Sequence, residues 1–201
     1  MRAELGIIDV VLMYVGNLQD YQGIDLLLKS FAMVLAETPR ADLVIIGGQA
    51  SDIQKYQKKS LGLGIQKKVH FLGPRPVEHL GQYLAEADIL VSPRLKGNNT
   101  PMKLYSYLHS GKAVLATNLP THTQLIDDRV ALLVEPEVKP FSQAMLRLIE
   151  DDKLRVELGV AGKQLIEEKF TYGAFREKLN GLFDWLETEL RPSPGSSKII
   201  P

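Results

Sequence analysis

Cysteine is absent from the 201 residues, which removes a disulfide framework and any thiolate metal site. Histidine is scarce. His70, His79, His109 and His122 include no pair at i,i+4 with a glutamate between, the spacing that aims two imidazoles at one metal. No metal is expected, and each histidine reads as structural or surface. An excess of either charge is also missing. Twenty-four Lys and Arg balance 24 Asp and Glu, which argues against a nucleic-acid groove or a polybasic membrane patch. The longest apolar run, Val10–Val15, is far too short to cross a bilayer, and Glu4 and Asp9 interrupt any apolar leader in residues 1–9. These absences fit a chain of the reducing cytoplasm with no transmembrane segment. A Gly-x-Ser-x-Gly elbow, a three-glycine dinucleotide fingerprint and a Gly-Lys-Ser/Thr phosphate loop are lacking too. No nucleophile–base pair stands out, so catalytic residues stay unassigned.

What is present is ordinary soluble composition, 45% apolar and 24% charged, arranged as alternating strands and helices. Apolar runs predict strands at 10–16, 42–47, 69–73, 88–92, 113–116 and 130–134. Between them, helices are expected at 23–37, from an N-cap at Ser51 to about 63, at 77–87, at 101–110 and briefly from Pro120. Helical patterns continue at 139–149, 152–168 and 172–190. The expected fold is α/β: one Rossmann-like, doubly wound domain over 1–190, about six parallel strands with helices on both faces and a C-terminal helical annex. Residues 191–201, RPSPGSSKIIP, read as a disordered tail. Phe170, Tyr172, Phe175, Leu179, Phe183, Trp185 and Leu186 form an aromatic-rich stripe that is expected to pack in the core.

The stretch 93–117, PRLKGNNTPMKLYSYLHSGKAVLAT, is the most informative. Thr100 suits an N-cap, Pro101 the first helical position and Gly111 the helix stop. The helix N-terminus then sits at the carboxyl end of a strand, where open α/β sheets bind ligands. Lys103 falls in the first turn, where a cation opposes the helix dipole. It makes sense there if an anion such as phosphate lies between it and the helix amides; a solvated lysine is the alternative. The 16–23 junction, GNLQDYQG, could turn amides to a ligand or be a plain loop. Gly47-Gly48-Gln49 reads as a tight structural turn. Gly73-Pro74-Arg75-Pro76 is a stiff segment that suits a planar base edge and equally a rigid connector.

Taken in order, YVGNLQDYQGIDLLLKSF (14–31), ADLVIIGG (41–48), VHFLG (69–73), ADILVSP (87–93) and TPMKLYSYLHSGKAVLAT (100–117) resemble one family. It is the C-terminal domain of GT-B retaining glycosyltransferases, the group 1 or family 4 kind, and the likeness runs over about 3–188. The last segment is similar to the family's Pro-x-Lys-Leu-x-Glu-Tyr-Met-Ala-x-Gly-Lys-Pro-Val variant. The resemblance implies a half-molecule that binds a UDP-, GDP- or ADP-sugar, with an N-terminal domain, separate or missing, holding a glycan or lipid acceptor. It implies hexose transfer with retention in polysaccharide biosynthesis, no cofactor beyond the nucleotide-sugar substrate, and no activity for the isolated half. It also implies that the helix at 172–190 packs on the acceptor-domain protein.

By the same resemblance Gly16, Asn17, Gln22, Asn98, Asn99, Thr100, Lys103 and Leu104 fall at the donor diphosphate and sugar. Ser106, Pro74 and Arg75 fall at the ribose and base. Four of these depart from the family. Asn17 and Gln22 stand where an arginine and a lysine usually clamp the diphosphate, and Asn98 and Ser106 stand where two glutamates are expected. Amides donate hydrogen bonds, but charge-assisted bonds are roughly twice as strong. Arg75, Lys96 and Lys103 are the remaining cations at this edge. Two alternatives stay open: a degenerate, non-catalytic module that binds a partner protein, and a domain for another phosphorylated ligand.

Overall fold

Short, mostly apolar runs make the strands of the sheet. The computed structural model describes residues 1–190. A short α1 (Arg2–Leu5) leads into β1 (Val10–Val15), then α2 (Ile24–Glu37), β2 (Ala41–Ile46), α3 (Ala50–Gly62) and β3 (Val69–Gly73). The second half runs α4 (Leu80–Ala85), β4 (Ile89–Ser92), α5 (Lys103–His109), β5 (Ala113–Thr117), α6 (Pro120–Thr123) and β6 (Leu132–Val134). Three longer helices follow: α7 (Val138–Glu150), α8 (Asp152–Lys169) and α9 (Tyr172–Leu190).

All strands are parallel, in the order β3-β2-β1-β4-β5-β6. Parallel strands covered on both faces read as unbroken apolar runs, because alternate side chains enter two different cores. Leu12, Tyr14, Leu43, Ile45 and Val91 point into one core with Phe31 of α2 and Met145 of α7. Val11, Met13, Val44, Leu90 and Val114 point into the other with Leu104 and Leu108 of α5 and Ile166 of α8. The winding changes direction between β1 and β4, and that switch opens a crevice beyond their carboxyl ends. Among the described residues no helix is long and apolar enough to cross a membrane.

The doubly wound fold agrees with the sequence expectation; several boundaries differ. Helix α5 begins at Lys103 rather than at 101. Met102 is its N-cap residue and makes no side-chain cap, while the Leu104 and Tyr105 amides bond Pro101 and Met102 carbonyls in a tight turn. Thr100 is therefore not the cap. Helix α3 starts at Ala50 after Gln49, so Ser51 is not a cap either. The expected 77–87 helix splits into a single 3-10 turn (Val77–His79) and α4, because His79 adopts φ −98°, ψ 4°. Strand β6 is shorter than expected, since Val130 and Ala131 are held in a turn on the Asp127 carbonyl.

The largest correction concerns α9. Its bounds match, but none of its residues is buried. Tyr172 is 78% exposed, Phe183 55% and Trp185 57%, so the stripe does not pack in the core. Among the described residues its aromatic side chains stay exposed to solvent. The expected tail at 191–201 lies outside the described residues.

Candidate functional site

The crevice is built by two junctions that cross at its base. After β1 the chain turns at Gly16, passes a 3-10 turn (Asp20–Gln22) and enters α2 at Gly23. After β4 it runs from Pro93 to α5. The Leu95 amide donates to the Tyr21 carbonyl at 2.8 Å. Gly23 has φ 75°, and a Cβ there would overlap the Pro93 carbonyl oxygen. Only glycine permits both that backbone angle and that approach. Tyr14, buried at the end of β1, donates its hydroxyl to the Asn17 carbonyl at 2.6 Å and so sets the first turn. The Tyr107 hydroxyl of α5 accepts the Val15 amide at 2.7 Å, which ties the helix to β1.

Arg94 is the organising residue of the second junction. It is 7% exposed, and its guanidinium spends its donors on the loop that follows. Nε donates to the Lys96 carbonyl at 2.6 Å, Nη1 to the Asn99 carbonyl at 3.2 Å and Nη2 to Asn99 Oδ1 at 3.3 Å. The guanidinium also lies over the Tyr21 ring, 5.3 Å from its centroid. Gly97, with φ 136°, lets the backbone lie on the guanidinium where a Cβ would overlap it.

Beneath this loop His122 of α6 is fully buried against the carboxyl ends of β4 and β5. Its Nδ1 lies 2.8 Å from the Thr117 carbonyl, which only accepts, so Nδ1 carries the proton. Nε2 then accepts from the Ser92 hydroxyl at 2.9 Å. Thr117 Oγ1 donates to the Arg94 carbonyl at 2.6 Å. Burial, with the charges of Lys103 and Arg94 added, pushes the imidazole pKa down to about 4. His122 is a neutral pin between strand ends, in line with the structural histidine expected from sequence.

Lys103 reaches back from α5 to the first junction. Its ammonium lies 4.0 Å from the centroid of the Tyr14 ring and donates to Gln22 Oε1 at 3.2 Å. It sits against Gly16, so close that a Cβ there would lie 3.3 Å from Nζ. Burial, and then the Arg94 charge, push the lysine pKa down to about 7. Among the described residues neither Lys103 nor Arg94 forms an ion pair with a carboxylate. Two cations meet at the switch point and lack a counter-charge.

Above them a cavity of about 510 Å³ opens over the ends of β1, β2 and β3. Gly16, Asn17, Gly47, Gly48, Pro74 and Arg75 line it. The structure thus brings Gly16, Asn17, Pro74 and Arg75 to one cavity, with Gln22 and Lys103 behind Gly16. Asn99 is tied to Arg94. Asn98 is exposed and Thr100 half-buried on the same loop. Leu104 is a core residue with its amide bonded to Pro101, so neither its side chain nor its N–H is free for a ligand. Ser106 opens onto a different depression, with Leu80, Leu84 and His109, and does not line the cavity with Pro74 and Arg75. Sequence reasoning missed Arg94 and Tyr14. The signal for Arg94 was a cation directly after the Ser92-Pro93 strand end; Tyr14 was hidden inside an apolar run. Among the described residues no group of three or more His, Asp or Glu could hold a metal.

Residues 4–165 match the family model described as glycosyl transferases group 1. The D-inositol 3-phosphate glycosyltransferase of Corynebacterium diphtheriae is 27% identical over 179 residues, covering 86% of this chain and 42% of the relative. A GDP-mannose-dependent monoacylated alpha-(1-6)-phosphatidylinositol monomannoside mannosyltransferase of Corynebacterium glutamicum is 26% identical over 190 residues, covering 90% and 49%. The chain spans about half the length of the curated relatives it matches. Among solved structures, Anabaena HepE in complex with UDP superposes with TM-score 0.82 at 17% identity, covering 92% of this chain and 51% of that one. The C-terminal domain of the group 1 glycosyl transferase LpcC from Francisella tularensis gives 0.75 at 22% identity, covering 85% and 91%. The second likeness fits a fold equivalent to one C-terminal domain.

Proposed function

The chain belongs to the glycosyl transferases group 1 family, and from that premise we propose that it is the donor-binding half of a GT-B glycosyltransferase, which holds a nucleotide-diphospho-sugar while an acceptor half supplies a glycan or lipid. The observation that carries this reading is the pair of cations without a carboxylate partner, Lys103 and Arg94, at the sheet's switch point, with Lys103 set directly behind Gly16, which lines the open cavity. Leaving charge enclosed without a partner is costly, and an anionic ligand is the natural compensation. A diphosphate at Gly16 would meet the Lys103 ammonium, and a base could rest against Pro74 and Arg75 across the same cavity. UDP in the HepE complex and GDP-mannose in the mannosyltransferase's name support a nucleotide of this class.

In that reading Lys103 stabilises the charge that develops on the departing diphosphate, the task of fixed donors in transfer reactions. Gln22 is then no defect. A lysine at 22 would put a second ammonium beside the first, where Gln22 Oε1 now accepts from Nζ at 3.2 Å. The exposed aromatic side of α9 fits a surface that the acceptor half covers. The neutral residues at 17, 98 and 106 favour one second reading, a non-catalytic module that binds a partner protein.

A thermal-shift panel tests the proposal at pH 6.5. UDP-glucose, GDP-mannose and ADP-glucose are each added at millimolar concentration; at 100 times Kd a ligand adds about 2.7 kcal/mol of stability. At least one is expected to raise the midpoint, and Lys103→Met to abolish the rise. No shift with any of the three would overturn donor binding and leave the partner-binding module.

A further inference from the structure

Lys103 is half-buried among groups that leave it almost no favourable charge. From β1 it faces the Tyr14 ring, and from the turn before α2 the neutral amide of Gln22. On α5 itself stands the Tyr107 phenol, and burial pushes both phenols well above their ordinary range, so they carry no charge at working pH. From α6 comes His122, held neutral as described. The charged group facing Lys103 from the β4–α5 loop is Arg94, and it repels. The site is thus built so that its own lysine is hard to charge until an anion arrives.

We propose that anionic ligands enter this site together with a proton, which settles on Nζ of Lys103. The proton comes from buffer and returns to it when the ligand leaves. The inference rests on the donor-site reading above and adds a consequence to it: binding weakens as pH rises. With burial and Arg94 holding the free lysine near neutrality, a diphosphate beside it reverses the balance of charge and restores an ordinary ammonium. If only the charged form binds well, apparent affinity follows the fraction charged. That fraction falls about 25-fold between pH 6.5 and 8.5 for a group titrating at about 7. Sugar-nucleotide diphosphates carry no phosphate group that titrates in this range, so the proton counted belongs to the protein.

The test is isothermal titration calorimetry on the full chain at pH 8.0, in two buffers of different ionisation enthalpy, with UDP-glucose, GDP-mannose and inorganic pyrophosphate. The expected uptake is about 0.8–0.9 proton per ligand. Lys103→Arg, a permanent cation, should bind with no uptake and no slope between pH 6.5 and 8.5; pyrophosphate's own titration is removed by difference from this variant. Should that variant misfold, carbon-13 NMR of the lysine Cε signals in the unliganded wild-type chain gives a second reading. One lysine titrating near neutrality, moved upward by ligand, supports the proposal; none doing so overturns it. Nucleotide binding without proton uptake overturns the proposal and leaves donor binding standing. Pyrophosphate binding with uptake, while neither nucleotide sugar binds, supports the proposal and overturns donor binding. Absence of binding by all three at pH 6.5 overturns both.

Discussion

A single lysine carries most of what is unusual in this chain, and its cost in the unliganded fold has a definite sign. The unfolded chain holds the Lys103 proton up to about pH 10.5, the folded chain only to about 7. The unfolded state therefore binds more protons between those values, and this group's contribution to stability rises with pH across that window. Below pH 7 the full penalty is present. Lys103→Met is expected to stabilise the ligand-free chain at pH 6 by on the order of 3–5 kcal/mol, which raises its melting temperature by roughly 10 °C, and by less at pH 9. A differential scanning calorimetry series over pH reads this directly. His122 has the same sign in a lower window. Its folded pKa of about 4 lies below 6.5, so its contribution is present above pH 6.5 and lost as pH falls toward 4. The loss is on the order of 3 kcal/mol. His122→Gln should flatten the acid limb of a urea-denaturation series, and an unchanged limb would place the acid sensitivity elsewhere. From its helix position alone the sequence suggested either an anion beside Lys103 or a solvated lysine. It could not show the Tyr14 ring or Gln22 around the ammonium, because those contacts join residues far apart in the chain.

The loop from Leu95 to Thr100 shows what local pattern can and cannot say about an element. Thr-Pro followed by an apolar period is a good helix-start signal, yet the helix begins two residues later. Arg94 holds the Lys96 and Asn99 carbonyls, which fixes the loop's path, and Pro101 falls in the turn that ends it. That guanidinium lies within the core of the junction, where periodicity carries no information about it. The Gly111 stop was legible because the requirement is local: it has φ 72° just past the helix end. Gly97→Ala is expected to cost about 1–3 kcal/mol, because it adds strain at φ 136° and pushes the loop off Arg94. Nucleotide affinity should fall with it. Paired denaturation and titration measurements check both, and a variant that loses neither would mean the loop finds another path.

At the scale of the whole molecule, six apolar runs alternating with helices were enough to give a doubly wound parallel sheet, since few topologies satisfy short right-handed crossovers. The C-terminal stripe was misread for a physical reason. Periodicity shows that a helix face is apolar, not what covers it. Here Tyr172, Phe175, Phe183 and Trp185 stay exposed. Trp185 is the sole tryptophan of the chain, so it reports on that face. In the isolated chain its emission should be red-shifted and open to acrylamide quenching. Adding an acceptor half is expected to shift it to the blue and protect it; a bound complex with unchanged emission would place the contact elsewhere.

The staple between the two junctions, the Tyr21–Leu95 hydrogen bond with Gly23 set against Pro93, has a kinetic consequence. Two loops fastened to each other move together, so the cradle proposed for the donor is cast when the chain folds rather than when the ligand arrives. Association then spends little on ordering, and the rate of capture reflects diffusion and charge more than loop rearrangement.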